Sequence, residues 1–298
     1  MVDRNNEMQT QNVEKNLAKY PHIERYYGQY IFSLVKKNHP LISLVINEGK
    51  YLVLLDAWIG KLDSIPNVPH LIKKSKNPAD FFNIMSEFKV ASFLIAKVDK
   101  IKIISSEEPS PDFKIEILDK IITIEVKRIE DKVESGKGNI TYPHSSKTLY
   151  EINDIHTIRN NIIESIKKGQ YYSNIPHIII FDCASGIEED EFEDVLYPRK
   201  DEGMPFYNGG KLIGYGYSIY DGLFYKKDTE ENFICSCLSG VAAIFEGVSV
   251  SMDPNTSSVD IKKDRIIFFG NPNANLVIDK NVLNSLGFRV YETKGDLW

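Results

Sequence analysis

The sequence predicts an α/β protein with a mixed sheet, an added helical region in its N-terminal part and an α+β extension in its C-terminal part. Three observations lead to this fold class. Apolar residues recur at helical spacing between residues 12 and about 62, helical stripes and strand-like runs alternate between residues 79 and 181, and further buried-type strands follow. We expect three regions: residues 1–75 are helical, residues 76–185 form the core, and residues 186–298 complete the sheet.

The N-terminal helices lead into a connection rich in proline, asparagine and lysine, from Ser64 to Pro78. Asn77-Pro78 is typical of a helix start, because the asparagine side chain can cap free N–H groups and proline fits the first turn. We therefore expect the first core helix to run from Ala79 to about Val98, with Glu87 on the shoulder of its apolar face. That face consists of Phe81, Ile84, Met85, Phe88, Ala91 and Ile95.

The rest of the core alternates strands and a helix. The expected elements are a strand over Ile101 to Ile104, two strands of a hairpin, a helix over Asn153 to about Lys168, and a strand over His177 to Phe181. The last strand is a continuous apolar run, which is typical of a strand covered on both faces. The order is helix, three strands, helix, strand.

The C-terminal region begins with an acidic run, Glu188 to Asp194, for which we expect a solvated loop. The remaining expected elements are a loop or hairpin over Tyr207 to Tyr217, an apolar run over Ile234 to Phe245, a strand over Arg265 to Phe269 and a helix near Asp279 to Leu286. Cys235-Ser-Cys237 lies in the apolar run, which favours small buried side chains in a strand over a redox pair.

Composition favours a soluble, cytoplasmic protein. The first twenty residues have no apolar signal region, no later apolar run has the length of a membrane span, and the three cysteines have no zinc-site spacing. The net charge is −6, but Gly186 to Glu202 holds eight acids and two bases. The remainder is close to neutral, so the net charge does not exclude nucleic acid as a partner.

The hairpin "SPDFKIEILDKIITIEVKRIE", from Ser110 to Glu130, concentrates polar residues on one face. Side chains alternate along a strand, so its two apolar sets share a face only if the paired residue numbers add to an odd total. The simplest such register has Asp119-Lys120 as the turn. It pairs Asp112 with Lys127, and it also pairs Lys114 with Glu125.

Two interpretations of this polar face remain open. The side chains could form ordinary cross-strand ion pairs in water, worth about 0.2–1 kcal/mol each. Alternatively, Asp112, Glu125 and Lys127 converge on a metal ion. Pro111 donates no ladder hydrogen bond at the strand start, Glu87 is a further acid nearby, and the sheet is expected to be covered on both faces. These three observations favour convergence.

The hairpin resembles the PD-(D/E)xK nuclease superfamily. Pro111-Asp112 is similar to its "PD", Glu125-Val126-Lys127 is similar to its "(D/E)xK", and Glu87 matches the acid of its first core helix. Gln170 resembles a residue on the following helix, with Lys167 and Lys168 as rival candidates. The resemblance covers about a third of the chain and implies a restriction-endonuclease-like αβββαβ core.

The resemblance also implies divalent-metal-dependent cleavage of nucleic acid. Mg²⁺, for which Mn²⁺ can substitute, would be held by Asp112, Glu125 and the main-chain carbonyl of Val126, with Glu87 at a second metal or on a metal water. Lys127 would orient water or stabilise the transition state. The number of metals, one or two, stays open.

The expected substrate is nucleic acid, most simply double-stranded DNA, cut by a homodimer. The residues expected to bind it are Arg128, Lys132, Lys167, Lys168 and Gln170. The polar loop from Asp131 to Lys147 would touch it as well. A prokaryotic restriction or anti-phage nuclease is the leading hypothesis. The alternatives are a catalytically inactive nucleic-acid-binding or scaffold protein with this fold, or a different enzyme on an α/β sheet.

Overall fold

The structure, a computed structural model, has a mixed α/β fold built around a seven-stranded mixed sheet. It describes residues 2–47, 50–105, 109–129, 149–183, 187–200, 204–208, 211–216, 219–220, 222–228, 230, 232–253 and 256–292. The chain divides into two compact units, Met1–Val126 and Lys127–Trp298. The first unit holds the helical region together with the first strands, and the boundaries expected near residues 75 and 185 stay predictions.

Helices make up most of the first unit, and their apolar sides form its core. They are α1 (Val2–Leu17), α2 (Pro21–Tyr27), a 3₁₀ turn (Gly28–Tyr30), α3 (Ile31–Lys36), α4 (Pro40–Asn47), α5 (Lys50–Leu62), α6 (Val68–Ser75) and α7 (Phe81–Leu94). The carboxylate of Asp56 on α5 accepts hydrogen bonds from the main-chain N–H groups of His22 and Ile23, each at 2.9 Å. It thereby satisfies donors that the start of α2 leaves without helical partners.

Helix α6 corrects the expectation of an irregular connection between Ser64 and Pro78. Its buried residues are Val68, Leu71, Ile72 and Ser75. Their spacing is helical, but the helix has only eight residues. Its one proline and two lysines, with the prolines and asparagines on either side of it, outweigh so short an apolar stripe when the sequence is read alone.

Helix α7 is shorter than expected, because it begins after a turn. Asn77 donates a side-chain hydrogen bond to Asp80 over 2.6 Å, and the helix starts at Phe81. The expected apolar face is buried from Phe81 to Ala91. Four polar residues of α7 are buried as well: Ser86, Glu87, Lys89 and Ser92. The helix is therefore covered on nearly all sides.

Three antiparallel strands follow α7: β1 (Lys100–Ile103), β2 (Phe113–Ile117) and β3 (Lys120–Ile129). Their observed register differs from the expected one. Leu118 and Asp119 form the two-residue turn, both with positive φ, 48° and 59°, as a type I′ turn requires. The Leu118 N–H also bonds to the carboxylate of Asp99 over 3.1 Å. The turn is therefore Leu118-Asp119 and not the expected Asp119-Lys120, and its first position is an exposed leucine.

The observed register changes which residues of β2 and β3 are paired, but it leaves each residue on the face of the hairpin that was predicted for it. Ile117 pairs with Lys120, and Lys114 pairs with Thr123 instead of Glu125. The expected pairing of Asp112 with Lys127 is also wrong, because the same ladder, extended past Phe113, opposes Asp112 to Glu125. The paired numbers still add to an odd total, so the predicted separation of apolar and polar faces is confirmed.

The second unit continues the sheet after β3, which crosses the boundary between the units. Its elements are α8 (Leu149–Lys167), β4 (His177–Cys183), α9 (Glu189–Leu196), β5 (Arg199–Lys200), β6 (Met204–Asn208), β7 (Lys211–Gly216), β8 (Ile219–Tyr220), a 3₁₀ turn (Leu223–Tyr225), β9 (Gly240–Asp253), β10 (Thr256–Gly270), α10 (Lys280–Ser285) and β11 (Arg289–Val290). The sheet order is β1-β2-β3-β4-β9-β10-β11. β9 runs parallel to β4 and antiparallel to β10, and β11 runs parallel to β10.

Helix α9 corrects the expectation of a solvated loop for the acidic run. Glu188 and Glu191 form a reciprocal capping box at its start. Acids in a first turn also stabilise a helix through its dipole. Its other face is apolar: Phe192 is fully buried and stacks on Phe269 of β10 at 5.5 Å between ring centroids. The high density of acidic residues led to the prediction of a loop, although the segment is a short helix whose apolar face packs on the sheet.

No helix in the described part of the chain is long and apolar enough to cross a bilayer.

Candidate functional site

The carboxylate of Asp112 is fixed at the open end of the hairpin. Asp112 immediately precedes β2, and its main-chain carbonyl accepts a hydrogen bond from the Ile104 N–H over 2.9 Å. Its Oδ2 accepts a hydrogen bond from the Val126 N–H over 2.7 Å. The side chain therefore takes the place of a ladder acceptor just where the pairing of β2 with β3 ends, and it is held against β3.

Glu125 directly precedes Val126, whose N–H holds this carboxylate, and it is buried. Only 2% of Glu125 is exposed, and Thr123 on the same face of β3 is fully buried. Asp112 itself is half-buried. Burial of a carboxylate is costly unless hydrogen bonds or a cation compensate it. The interpretation of this face as solvated ion pairs is therefore wrong at Glu125.

Lys127 follows Glu125 at strand spacing and is half-buried. Residues two apart on a strand point to the same face. Glu125 and Lys127 thus share a face of β3. Glu125, Val126 and Lys127 are consecutive residues of one regular strand, as the sequence predicts.

Arg128 is the next residue of β3, and its charge is already compensated. Its Nη1 lies 3.7 Å from Oδ2 of Asp182, the buried aspartate near the end of β4. This ion pair lies within the second unit. A half-buried guanidinium with a carboxylate partner contributes less to phosphate binding than an exposed one. The expected role of Arg128 in binding nucleic acid stays a prediction.

Glu87 occupies the fourth expected site position, on α7. Its exposed fraction is 8%, and Lys89 two residues later is buried to the same degree. Lys89 was not singled out from the sequence, where Glu87-x-Lys89 is one of many acid-x-lysine triplets. The triplet Glu87-x-Lys89 differs from the others in that both of its charged residues are buried on one helix. The composition of α7 does not reveal this burial. The expected role of Glu87 stays a prediction.

The residues expected at the end of α8 are partly exposed. Lys167 and Lys168 are exposed, and Lys168 pairs with Glu164 over 3.3 Å. Gln170 is half-buried, and its N–H bonds to the Ser165 carbonyl over 3.3 Å. Lys132 and the loop from residue 131 to 147, expected to touch nucleic acid, lie outside the described residues.

The donor set fits a hard cation with few protein ligands. Nowhere among the described side chains do three or more histidines, cysteines, aspartates or glutamates form a metal-holding group. Mg²⁺ does not require one, because it keeps several waters and accepts one or two carboxylates. Asp112 and Glu125 supply two carboxylates. Val126, whose N–H holds Asp112, is the residue expected to offer a carbonyl oxygen.

Two of the three cysteines are poor candidates for a nucleophile. Burial raises the pKa of the Cys235 thiol to about 12 and that of Cys237 to about 11. Both residues lie in turns before β9, not in the expected strand. Thiols with such pKa values stay protonated at neutral pH and are poor nucleophiles.

Comparison with known proteins yields no relative: no family model matches the chain, and neither a curated protein nor a solved structure matches it.

Proposed function

We propose that the chain is a divalent-metal-dependent endonuclease that hydrolyses DNA phosphodiester bonds, with a core of the PD-(D/E)xK type. One observation carries the proposal. The Asp112 carboxylate accepts a hydrogen bond over 2.7 Å from the N–H of Val126, which lies on β3 between the buried Glu125 and Lys127. The αβββαβ order of α7, β1, β2, β3, α8 and β4 is consistent with that core.

Asp112 and Glu125 would bind Mg²⁺, or Mn²⁺ in its place, together with the Val126 carbonyl. The bound cation supplies charge neutralisation at the phosphoryl oxygens and lowers the pKa of a water. The hydrogen bond from the Val126 N–H to Oδ2 fixes the Asp112 carboxylate against β3. The hairpin thereby orients the carboxylate before a metal arrives.

Lys127 would act on the water that attacks phosphorus. An ammonium group donates up to three hydrogen bonds, so it can orient the water and stabilise negative charge that builds on the phosphoryl oxygens. The water oxygen would bond to phosphorus and its proton would pass to solvent, while the P–O bond opposite it breaks and the leaving alkoxide takes a proton from solvent. Glu87 would hold a second cation or a water from the buried side of α7.

The biological part of the proposal is a prokaryotic restriction or anti-phage nuclease that cuts double-stranded DNA as a homodimer. It rests on the PD-(D/E)xK resemblance of the hairpin. The alternative, a catalytically inactive nucleic-acid-binding or scaffold protein with this fold, predicts binding without cleavage. The nuclease and the binding protein therefore differ in whether they cleave DNA.

The test is cleavage of supercoiled plasmid, linear duplex and single-stranded DNA with Mg²⁺ or Mn²⁺. Asp112→Asn and Lys127→Met should each reduce the rate about 100-fold or more. Two matched controls on the same hairpin should keep it: Asp119→Asn in the exposed turn and Lys114→Met on the same polar face. Absence of cleavage with every metal, or equal losses in variants and controls, contradicts the proposal.

A further inference from the structure

The C-terminal ends of α3 and α6 lie side by side in the first unit, and both carry lysines. Just after α3, the buried His39 donates a hydrogen bond from Nε2 to the carbonyl of Ser75, the last residue of α6, over 2.9 Å. Lys76, which follows, holds its Nζ 3.3 Å from the ring centroid of Tyr30, which precedes α3. We call the resulting group the lysine cluster: Lys36, Lys37, Lys73, Lys74 and Lys76.

The lysine cluster is a concentrated positive charge on an otherwise acidic chain. Lys36, Lys37, Lys73 and Lys74 are exposed, whereas the whole chain has a net charge of −6. Among residues that the structure describes, no acid forms an ion pair with these four. Helix dipoles account for a cation at each helix end. They do not account for five at one place, where like charges repel each other.

The shape of this surface favours nucleic acid over a membrane. A helix that lies in a bilayer surface presents a wide apolar face. The exposed residues of α3 are instead Phe32, Ser33 and Lys36, with Lys37 directly after them and the exposed Tyr30 directly before the helix, so the apolar part of this surface consists of two aromatic rings. Phe32 is 52% exposed and lies one turn before Lys36, on the same side of the helix. An aromatic ring beside lysines is typical of sites that stack a base and neutralise its phosphates.

We propose that the lysine cluster binds the phosphate backbone of nucleic acid and gives the first unit a binding surface of its own. The inference rests on the proposed nuclease function for the choice of nucleic acid as the polyanion. It requires none of the metal-binding carboxylates. Binding without metal and cleavage with metal are therefore separate observations.

The test is the anisotropy of labelled single-stranded and duplex DNA with EDTA present, titrated at several salt concentrations. The variant Lys36→Glu/Lys73→Glu should weaken binding about 10-fold or more and lower the slope of log affinity against log salt by about 2. The control Lys15→Glu/Lys61→Glu changes the same charge at exposed lysines that also occupy the last turns of helices. It should bind like the wild type.

Three outcomes overturn the inference. The first is wild-type affinity in the cluster variant, and the second is an equal loss in the control variant. The third is tighter binding to anionic phospholipid vesicles than to DNA, with the same dependence on Lys36 and Lys73. Cluster-dependent binding by a chain that cuts no DNA would support the inference while the nuclease proposal fails.

Discussion

The side chain of His39 is buried where α3 and α6 meet, and its hydrogen bonds fix its protonation. Nδ1 accepts from the Leu41 N–H over 3.1 Å, and Nε2 donates to the Ser75 carbonyl over 2.9 Å. Only the neutral ring satisfies both partners. Burial lowers the pKa of His39 below its ordinary 6.5, and the charge of Lys37 lowers it further, against the Ser75 bond, which raises it.

This lowered pKa makes the stability of the protein sensitive to acid. Below about pH 6.5 the unfolded chain binds a proton that the folded chain resists, so the contribution of His39 is complete above that pH and is lost as the pH falls towards the folded pKa. Denaturant midpoints measured from about pH 8 to pH 5 should fall more steeply for the wild type than for His39→Gln. His156→Gln, at an exposed position of α8, is the control. Equal slopes in all three proteins would show that another group titrates.

Asn271 joins two turns of the second unit, residues 235–238 and 271–273, through one amide group. Its Nδ2 donates to the carbonyls of Cys235 over 2.8 Å and of Leu238 over 2.9 Å, and its Oδ1 accepts from the Asn273 N–H over 2.9 Å. Asn271 is only 4% exposed. Asn271→Ala would remove the hydrogen-bond partner of both carbonyls and of the Asn273 N–H. We expect a loss of about 2–4 kcal/mol in the free energy of unfolding.

The exposed Asn275 provides the control for that experiment. Asn275→Ala should change the free energy of unfolding by less than about 0.5 kcal/mol. Both variants are measured by urea unfolding monitored by tyrosine and tryptophan fluorescence. Similar losses at the two positions would mean that the amide of Asn271 does not hold this turn together.

At the scale of one element, the β2–β3 turn places a leucine in a left-handed conformation. Leu118 has φ of +48° and is 53% exposed, so its side chain gains little from burial. Asparagine adopts this conformation more easily and is favoured in type I′ turns. Leu118→Asn should raise the free energy of unfolding by about 0.5–1 kcal/mol.

The same substitution at Lys120 tests the register. Lys120 pairs with Ile117 as the first residue of β3. Asparagine is disfavoured in strands, so Lys120→Asn should destabilise the protein slightly. In the register with Asp119-Lys120 as the turn, Lys120→Asn would instead stabilise it. Opposite signs of the two changes in unfolding midpoint would confirm the turn at Leu118-Asp119.

At the scale of the whole molecule, metal binding at the hairpin would appear as a change in stability. A ligand that binds only the folded state stabilises it by about 1.4 kcal/mol at ten times its dissociation constant. Mg²⁺ or Mn²⁺ should therefore raise the unfolding midpoint of the wild type. The increase should disappear in Asp112→Asn and persist in Asp119→Asn. This measurement needs no substrate, so it tests metal binding apart from catalysis.

Much of the fold follows from local patterns. The apolar face of α7, the continuous run of β4 and the odd-sum parity of the hairpin are all confirmed, because each depends on a spacing that the sequence displays directly. Helix α6 and helix α9 were missed, since prolines, lysines or acids dominate their composition. Their apolar residues become decisive only when another element covers them. The candidate site residues on the hairpin were chosen from spacing and stay predictions, whereas spacing does not reveal the burial of Lys89 and Asp182.

The sequence by itself determined which residues of the hairpin share a face, since alternation along a strand is a local property of the backbone. Only the tertiary structure decided the partners across that face. The turn at Leu118-Asp119 sets the register from Phe113 opposite Ile124 to Ile117 opposite Lys120, and the Asp112 carboxylate accepts the Val126 N–H. It also decided that this face is buried at Glu125 and that two helix ends gather the lysine cluster. Such contacts join residues far apart in the chain, and their energies depend on neighbours that no local spacing specifies.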